Sequence, residues 1–140
     1  MKNKQTINSN NGLFTFLTII FGLAFCIMKL FNLGWLSIIF FPLIIGYLIL
    51  FNISNILNAT IIVKNKDDYL RFWLLNFFFL LSGLTFCDFG DEGPTSKILR
   101  FISDDISMCI CQFSIVITVL LCIVSIFVHL KHNNDISNNQ

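Results

Sequence analysis

The residues best suited to chemistry are carboxylates in a short segment that follows the third apolar run of the chain. Asp88, Asp91 and Glu92 stand within five residues, beside two glycines and a proline that favour a tight turn. With Asp104 or Asp105, they could bind a basic partner protein or a divalent cation, which prefers several oxygen ligands. The spacing does not match an EF-hand loop, so a protein partner is favoured over a metal. The alternative is a solvated turn that only marks the topology.

Three of the five cysteines fall near one end of the predicted helices. A disulfide between Cys87 and either Cys109 or Cys111 is geometrically plausible and would form in an oxidising compartment. Quinone-linked disulfide-forming enzymes also use four-helix bundles, but as a family they carry a C-x-x-C pair. This chain has C-x-C, and residues two apart on a helix do not face each other. A membrane thiol oxidoreductase is therefore the least favoured function, and a free cysteine is also a common small apolar filler.

Asn76 and Gln112 are the strongest polar groups inside the predicted spans. Each can form a hydrogen bond between neighbouring helices, which is the ordinary role of an amide in a membrane bundle. The alternative is that one of them lines a wet path for a solute. Ionisable residues, which usually mark proton and ion pathways, are nearly absent from the spans.

No pattern of residues indicates catalysis. The chain has no recognisable nucleophile and base pair, phosphate-binding loop, dinucleotide fingerprint or zinc-protease helix. The sequence therefore predicts a protein that is not an enzyme and that has no cofactor and no metal. A net charge of +1 gives no electrostatic attraction to nucleic acid.

The composition indicates that lipid is the solvent of most side chains. Of the 140 residues, 56% are hydrophobic and only 12% are charged, whereas soluble domains carry about 25% charged residues. Four apolar runs approach the length that a helix needs to cross a bilayer. The runs are residues 13–31, 35–57, 70–87 and 107–130. Pro42 lies inside the second run and predicts a kink there.

These runs predict an all-α polytopic membrane protein, a bundle of four transmembrane helices in a single domain over residues 13–130. In the outward acidic loop 88–106, Pro94 with Thr95 or Ser96 can start a short extracytoplasmic interfacial helix. Its apolar face at the headgroup boundary would carry four residues. They are Ile98, Leu99, Ile102 and Ile106. The polar segments 1–12 and 131–140 are expected to be disordered tails.

The distribution of cations predicts the orientation. With four spans, both termini and the middle loop share one side of the membrane. That side carries six cations, against three on the other. The six are Lys2, Lys4, Lys64, Lys66, Arg71 and Lys131, and the three are Lys29, Lys97 and Arg100. Because the cationic side stays in the cytoplasm, we expect a multi-pass protein of the inner membrane with cytoplasmic termini.

The favoured function is that of a small non-catalytic membrane protein that binds another integral membrane protein, or itself, through its spans and its acidic loop. Its size, span count and inward termini are similar to those of some small bacterial immunity proteins that guard against pore-forming toxins, an analogy of architecture. The immunity-type role and that of an accessory subunit of a membrane complex are both special cases of this function. The alternative is a small transporter or channel subunit that works as an oligomer.

Overall fold

The computed structural model describes residues 2–31, 34–62, 67–86, 88–90, 93–95 and 101–137. Most of them are helical. The helices are α1 (Lys2–Phe31), α2 (Trp35–Ile39), α3 (Phe41–Ile62), α4 (Asp67–Leu84) and α5 (Asp104–Ser137). Two short strands between α4 and α5, β1 (Asp88–Gly90) and β2 (Gly93–Thr95), pair in antiparallel fashion.

Three segments of the described helices are long and apolar enough to cross a membrane. They are Gly12–Phe31, Phe41–Ile61 and Asp104–Asn134. A fourth apolar helical segment, Tyr69–Leu84, is shorter. Among the described residues, twelve of the buried side chains are polar and ten are hydrophobic, while large apolar side chains cover the outside. Because a soluble core would show the reverse, this distribution indicates contact with lipid and is compatible with the predicted helical membrane bundle.

The helices pack around a core of aromatic side chains. α3 contacts α1, α4 and α5, and α4 also contacts α1 and α5. The ring of Phe79 in α4 lies between Phe51 of α3, at 3.5 Å between centroids, and Phe25 of α1, at 4.4 Å. A second cluster, which includes Phe14 and Phe72, joins α1 to the first half of α4.

The second predicted span is divided in two. α2 ends at Ile39, Phe40 lies in a turn, and α3 begins at Phe41. Pro42 is thus the second residue of α3 and does not kink the interior of a longer helix. The physical reason is that a proline in the first turn of a helix sacrifices no hydrogen bond, because the amides of that turn have no partner within the helix.

The loop after α4 also differs from the expectation of an interfacial helix. Pro94 and Thr95 lie in β2, where they pair with Phe89 and Asp88 of β1. Proline is tolerated in such an edge strand, because the missing amide would face away from the partner strand. Phe101 and Ile102 lie in a turn and a bend, and Ile106 belongs to the first turn of α5. The expected helix start at Pro94 or Thr95 is therefore wrong, whereas Ser96, Ile98 and Leu99 lie outside the described residues.

The terminal segments are helical over most of their length. α1 begins at Lys2, ten residues before its apolar segment, and α5 continues to Ser137. Once a long apolar helix has formed, each added residue contributes one more backbone hydrogen bond without a new nucleation cost. Helix therefore extends into both segments that were expected to be disordered tails.

Candidate functional site

A pair of buried asparagines links α3 to α4. The side-chain amide of Asn55 donates to Oδ1 of Asn76 at 3.1 Å, and the amide of Asn76 donates back to Oδ1 of Asn55 at 3.3 Å. Nδ2 of Asn76 also lies 2.7 Å from the carbonyl oxygen of Phe72, one turn earlier in α4. Both side chains are buried. This mutual pairing satisfies two amides that would otherwise be costly to bury.

A second chain of hydrogen bonds joins α4, α3 and α5. Nε of Arg71 donates to Oδ1 of Asn58 at 3.2 Å, and Nδ2 of Asn58 donates to Oγ of Ser125 at 3.0 Å. The Ser125 hydroxyl then donates to the carbonyl of Leu121 at 2.7 Å. The cation of Arg71 is thereby held at the end of the bundle where α3 ends and α4 begins. These contacts connect three helices and hold them in one register.

Polar contacts at the opposite end of the bundle also hold helices together. The hydroxyl groups of Tyr47 in α3 and Ser82 in α4 lie 3.1 Å apart. Ser107 of α5 donates to the carbonyl of Thr85 at 2.9 Å, and the thiol of Cys111 lies 3.4 Å from the carbonyl oxygen of Ser82. Small polar side chains thus fix α3 and α5 against the end of α4.

The two amides that the sequence singled out lie in different environments. Asn76 is buried in the pair described above, whereas the side chain of Gln112 is exposed on the surface of α5. Gln112 lies eight residues, or about 12 Å, along the axis from the first residue of α5. The structure therefore does not bring Asn76 and Gln112 together on one surface.

The exposed amide of Gln112 is unusual for its surroundings. Among the described residues of 12–31, 41–61, 69–86 and 106–130, it is the one exposed side chain that carries an amide or a formal charge. Its neighbours on the same face of α5 are exposed as well, and we call this set the α5 face. The set comprises Cys109, Gln112, Phe113, Val116, Leu120 and Phe127. An amide that faces lipid has no hydrogen-bond partner there, so a partner helix is the environment that would satisfy it.

The acids of the outward loop are described only in part. Asp88 lies in β1, and the structure places β1 against α2. Asp104 and Asp105 form the first turn of α5, where the helix dipole favours negative charge. Asp104 is half-buried and Asp105 is exposed. Asp91 and Glu92 lie outside the described residues, so the acidic binding site stays a prediction.

The four cysteines of the described residues form no disulfide. Cys109 is exposed, whereas Cys111 is buried with its thiol near the Ser82 carbonyl. The two side chains thus leave α5 in different directions, as residues two apart on a helix must. Cys87 lies outside the described residues, and a disulfide from it to Cys109 or Cys111 stays a prediction.

Several residues of these networks were not singled out by their sequence pattern. Asn55 and Asn58 belong to no motif, although their spacing of three places them on one face of a helix. The sequence indicates for Arg71 only a role in topology, and Ser125 carries no signal of its own. The repeated asparagines of α3 were the one feature that could have indicated a polar helix contact.

Comparison with known proteins adds no relative to this description. No family model matches the chain, no curated protein is similar to it, and no solved structure resembles it.

Proposed function

We propose that this chain is a small non-catalytic membrane protein that binds another integral membrane protein, as an accessory subunit or an immunity-type protein. Two surfaces would make the contact. The first is the α5 face around Gln112, inside the membrane, and the second is the outward acidic loop 88–106.

The observation that supports this proposal is the exposed amide of Gln112. A hydrogen bond between helices in a membrane contributes about 1 kcal/mol, and an amide left facing lipid forfeits that contribution. The rest of the α5 face is apolar and includes Phe113 and Val116, which can pack against another helix. A partner helix that offers one polar group opposite Gln112 would satisfy the amide and bury the surrounding apolar surface.

The proposed topology has four crossings of an inner membrane and cytoplasmic termini. The apolar part of α4, Tyr69–Leu84, covers about 24 Å at 1.5 Å per residue, less than the bilayer core of about 30 Å. Local thinning of the bilayer accommodates a short span at modest cost. Trp73 is exposed near the same end of α4 as Arg71, and both residue types anchor helices at the membrane interface. The acidic loop would then face outward.

The interior contacts favour partner binding over conduction of a solute. A wet path needs polar groups that face a common channel, whereas Asn55 and Asn76 are buried and bonded to each other. The side chain of Gln112 is exposed on the outer surface of α5 and does not face the interior of the bundle. For a small transporter, the rival function, replacing either Asn76 or Gln112 by leucine should abolish flux through liposomes that hold the purified chain.

Site-specific photo-crosslinking in cells that express the full chain tests the proposal. A photoreactive amino acid replaces Val116, which lies one turn from Gln112 and is 57% exposed. The matched position is Ile19 of α1, which is 53% exposed. We expect one discrete protein adduct from position 116 and lipid adducts alone from position 19. Gln112→Leu should lower the yield at position 116 about fivefold, the ratio that corresponds to about 1 kcal/mol.

Two results would contradict the proposal. If position 116 gives only lipid adducts, like position 19, the α5 face contacts no protein. If its adduct has twice the mass of the chain, the partner is a second copy, which argues for self-association instead of an accessory or immunity role.

A further inference from the structure

A cavity of about 500 Å³ opens on the outer surface of the bundle near the beginning of α3. Its mouth is formed by apolar residues such as Leu43, which is 67% exposed, and by Gly46. Its floor is formed by Phe25 and Ser82, which are each 2% exposed. The size falls within the range of about 300–1,000 Å³ that is usual for ligand pockets. Because the mouth lies among apolar side chains that face the membrane, a ligand would enter from the bilayer.

A cation stands on the wall of this cavity. Lys29 lies two residues before the last residue of α1, and its ammonium nitrogen is buried 2.6 Å from the centroid of the Phe86 ring. Both side chains line the cavity. The end of a spanning helix is the level at which lipid headgroups lie. The cavity thus has an apolar interior and, at headgroup depth, a buried positive charge that a headgroup would reach by displacing the Phe86 ring.

A smaller cavity of about 220 Å³ adjoins the first, between α1 and the α2–α3 segment. The two cavities share Phe25, Lys29 and Ile44 in their walls. A molecule with two apolar chains and one negative headgroup matches this arrangement, with one chain in each cavity and the headgroup at Lys29. Charge complementarity with Lys29 selects an anionic lipid over a zwitterionic one.

We propose that the paired cavities bind one anionic two-chain phospholipid of the surrounding bilayer, with its phosphate group at Lys29. The site lies among α1, α3, α4 and α5 and uses neither Gln112 nor the acidic loop. It therefore does not depend on the proposed partner binding, and either proposal can fail while the other stands.

Native mass spectrometry of the full chain tests this site. The protein is held in detergent micelles that contain equal amounts of phosphatidylglycerol and phosphatidylcholine with the same two acyl chains. Both lipids offer a phosphate, but the choline cation repels the Lys29 ammonium, so we expect one retained phosphatidylglycerol in about tenfold preference over phosphatidylcholine. Lys29→Met should remove the preference, and Lys29→Arg should keep it.

A glycine variant tests the cavity itself. A Cβ atom added at Gly46 meets nothing within 4 Å, so Gly46→Leu can fill the mouth without a clash. This variant should lower the retention of both lipids at least tenfold. Gly12→Leu is the matched control, since Gly12 also has open space around it and lies outside the cavity wall. Circular dichroism establishes that each variant is folded.

Three results would overturn the proposal. The first is equal retention of the two lipids by the unchanged protein. The second is unchanged retention by folded Gly46→Leu. The third is that lysophosphatidylglycerol, with a single chain, is retained as strongly as the two-chain lipid, since the second cavity would then have no role.

Discussion

Individual side-chain amides form the main polar contacts of this bundle, and their contribution to stability depends on their hydrogen-bond partners. Asn55 and Asn76 form hydrogen bonds with each other. Asn58 accepts a hydrogen bond from Arg71 and donates one to Ser125. Removal of one member leaves the other buried and unsatisfied, which costs more than the hydrogen bond itself contributed. Replacing both members by apolar residues avoids that penalty. Coupling between paired positions is therefore the measurable signature of these contacts.

The first prediction concerns the Asn55–Asn76 pair. Asn55→Ala should lower the free energy of unfolding by about 1–3 kcal/mol, because Asn76 loses a partner in a buried site. The double variant Asn55→Ala with Asn76→Ala should cost clearly less than the sum of the two single changes. Unfolding by SDS in mixed micelles measures all three values. Thr60→Ala, at an exposed position in α3, is the control with little effect. Strict additivity would show that the pair is not coupled.

At the scale of elements, small residues decide how closely the helices approach. Gly83 of α4 faces α1, and a Cβ atom built on it would lie 2.8 Å from Cδ2 of Phe25. The Phe25 ring cannot retreat freely because it is stacked on Phe79. Gly46 of α3, in contrast, has open space around its Cα. Two glycines in the same bundle therefore have opposite tolerance for a methyl group.

This difference gives a second prediction. Gly83→Ala should lower the free energy of unfolding by about 1–3 kcal/mol, the usual cost of overpacking a core. Gly46→Ala should leave it unchanged or raise it slightly, since alanine is the better helix former. The same SDS titration measures both variants. Equal effects of the two substitutions would mean that α1 and α4 do not approach as closely as Gly83 and Phe25 indicate.

At the scale of the whole molecule, the number of crossings determines which side each terminus occupies. Three segments of the described helices reach the length of a membrane span, and the apolar part of α4 is shorter. If α4 crosses, the termini share one side, and if it does not, they lie on opposite sides. Arg71, fixed by Asn58, would lie at the cytoplasmic end of α4 in the first case. Sidedness therefore tests the role of α4 directly.

The third prediction follows from four crossings with cytoplasmic termini. Green fluorescent protein fused after Gln140 should fluoresce, because it folds in the cytoplasm, and alkaline phosphatase fused there should be inactive. Alkaline phosphatase inserted after Phe101, in the outward loop, should be active. An N-terminal fusion that reports the side opposite to Gln140 would contradict the four-span topology.

The sequence by itself determined where the membrane helices lie, because a long apolar run has the same preference for lipid whatever packs beside it. The described helices overlap all four predicted runs, and Pro42 correctly indicated an irregularity near the start of α3. Local signals failed where the alternatives differ little in energy. Pro94 is compatible with either the first turn of a helix or an edge strand. In the structure it pairs with Phe89 and lies in a strand.

Only the tertiary structure decided which polar residues face inward. Asn76 and Gln112 have similar side chains and similar apolar neighbours in sequence, yet one is buried against Asn55 and the other is exposed on α5. The cavity beside Lys29 likewise exists only because four helices meet around it. The physical reason is that lipid and a helix interior are both apolar, so hydrophobicity alone does not distinguish the inner face of a helix from the outer one.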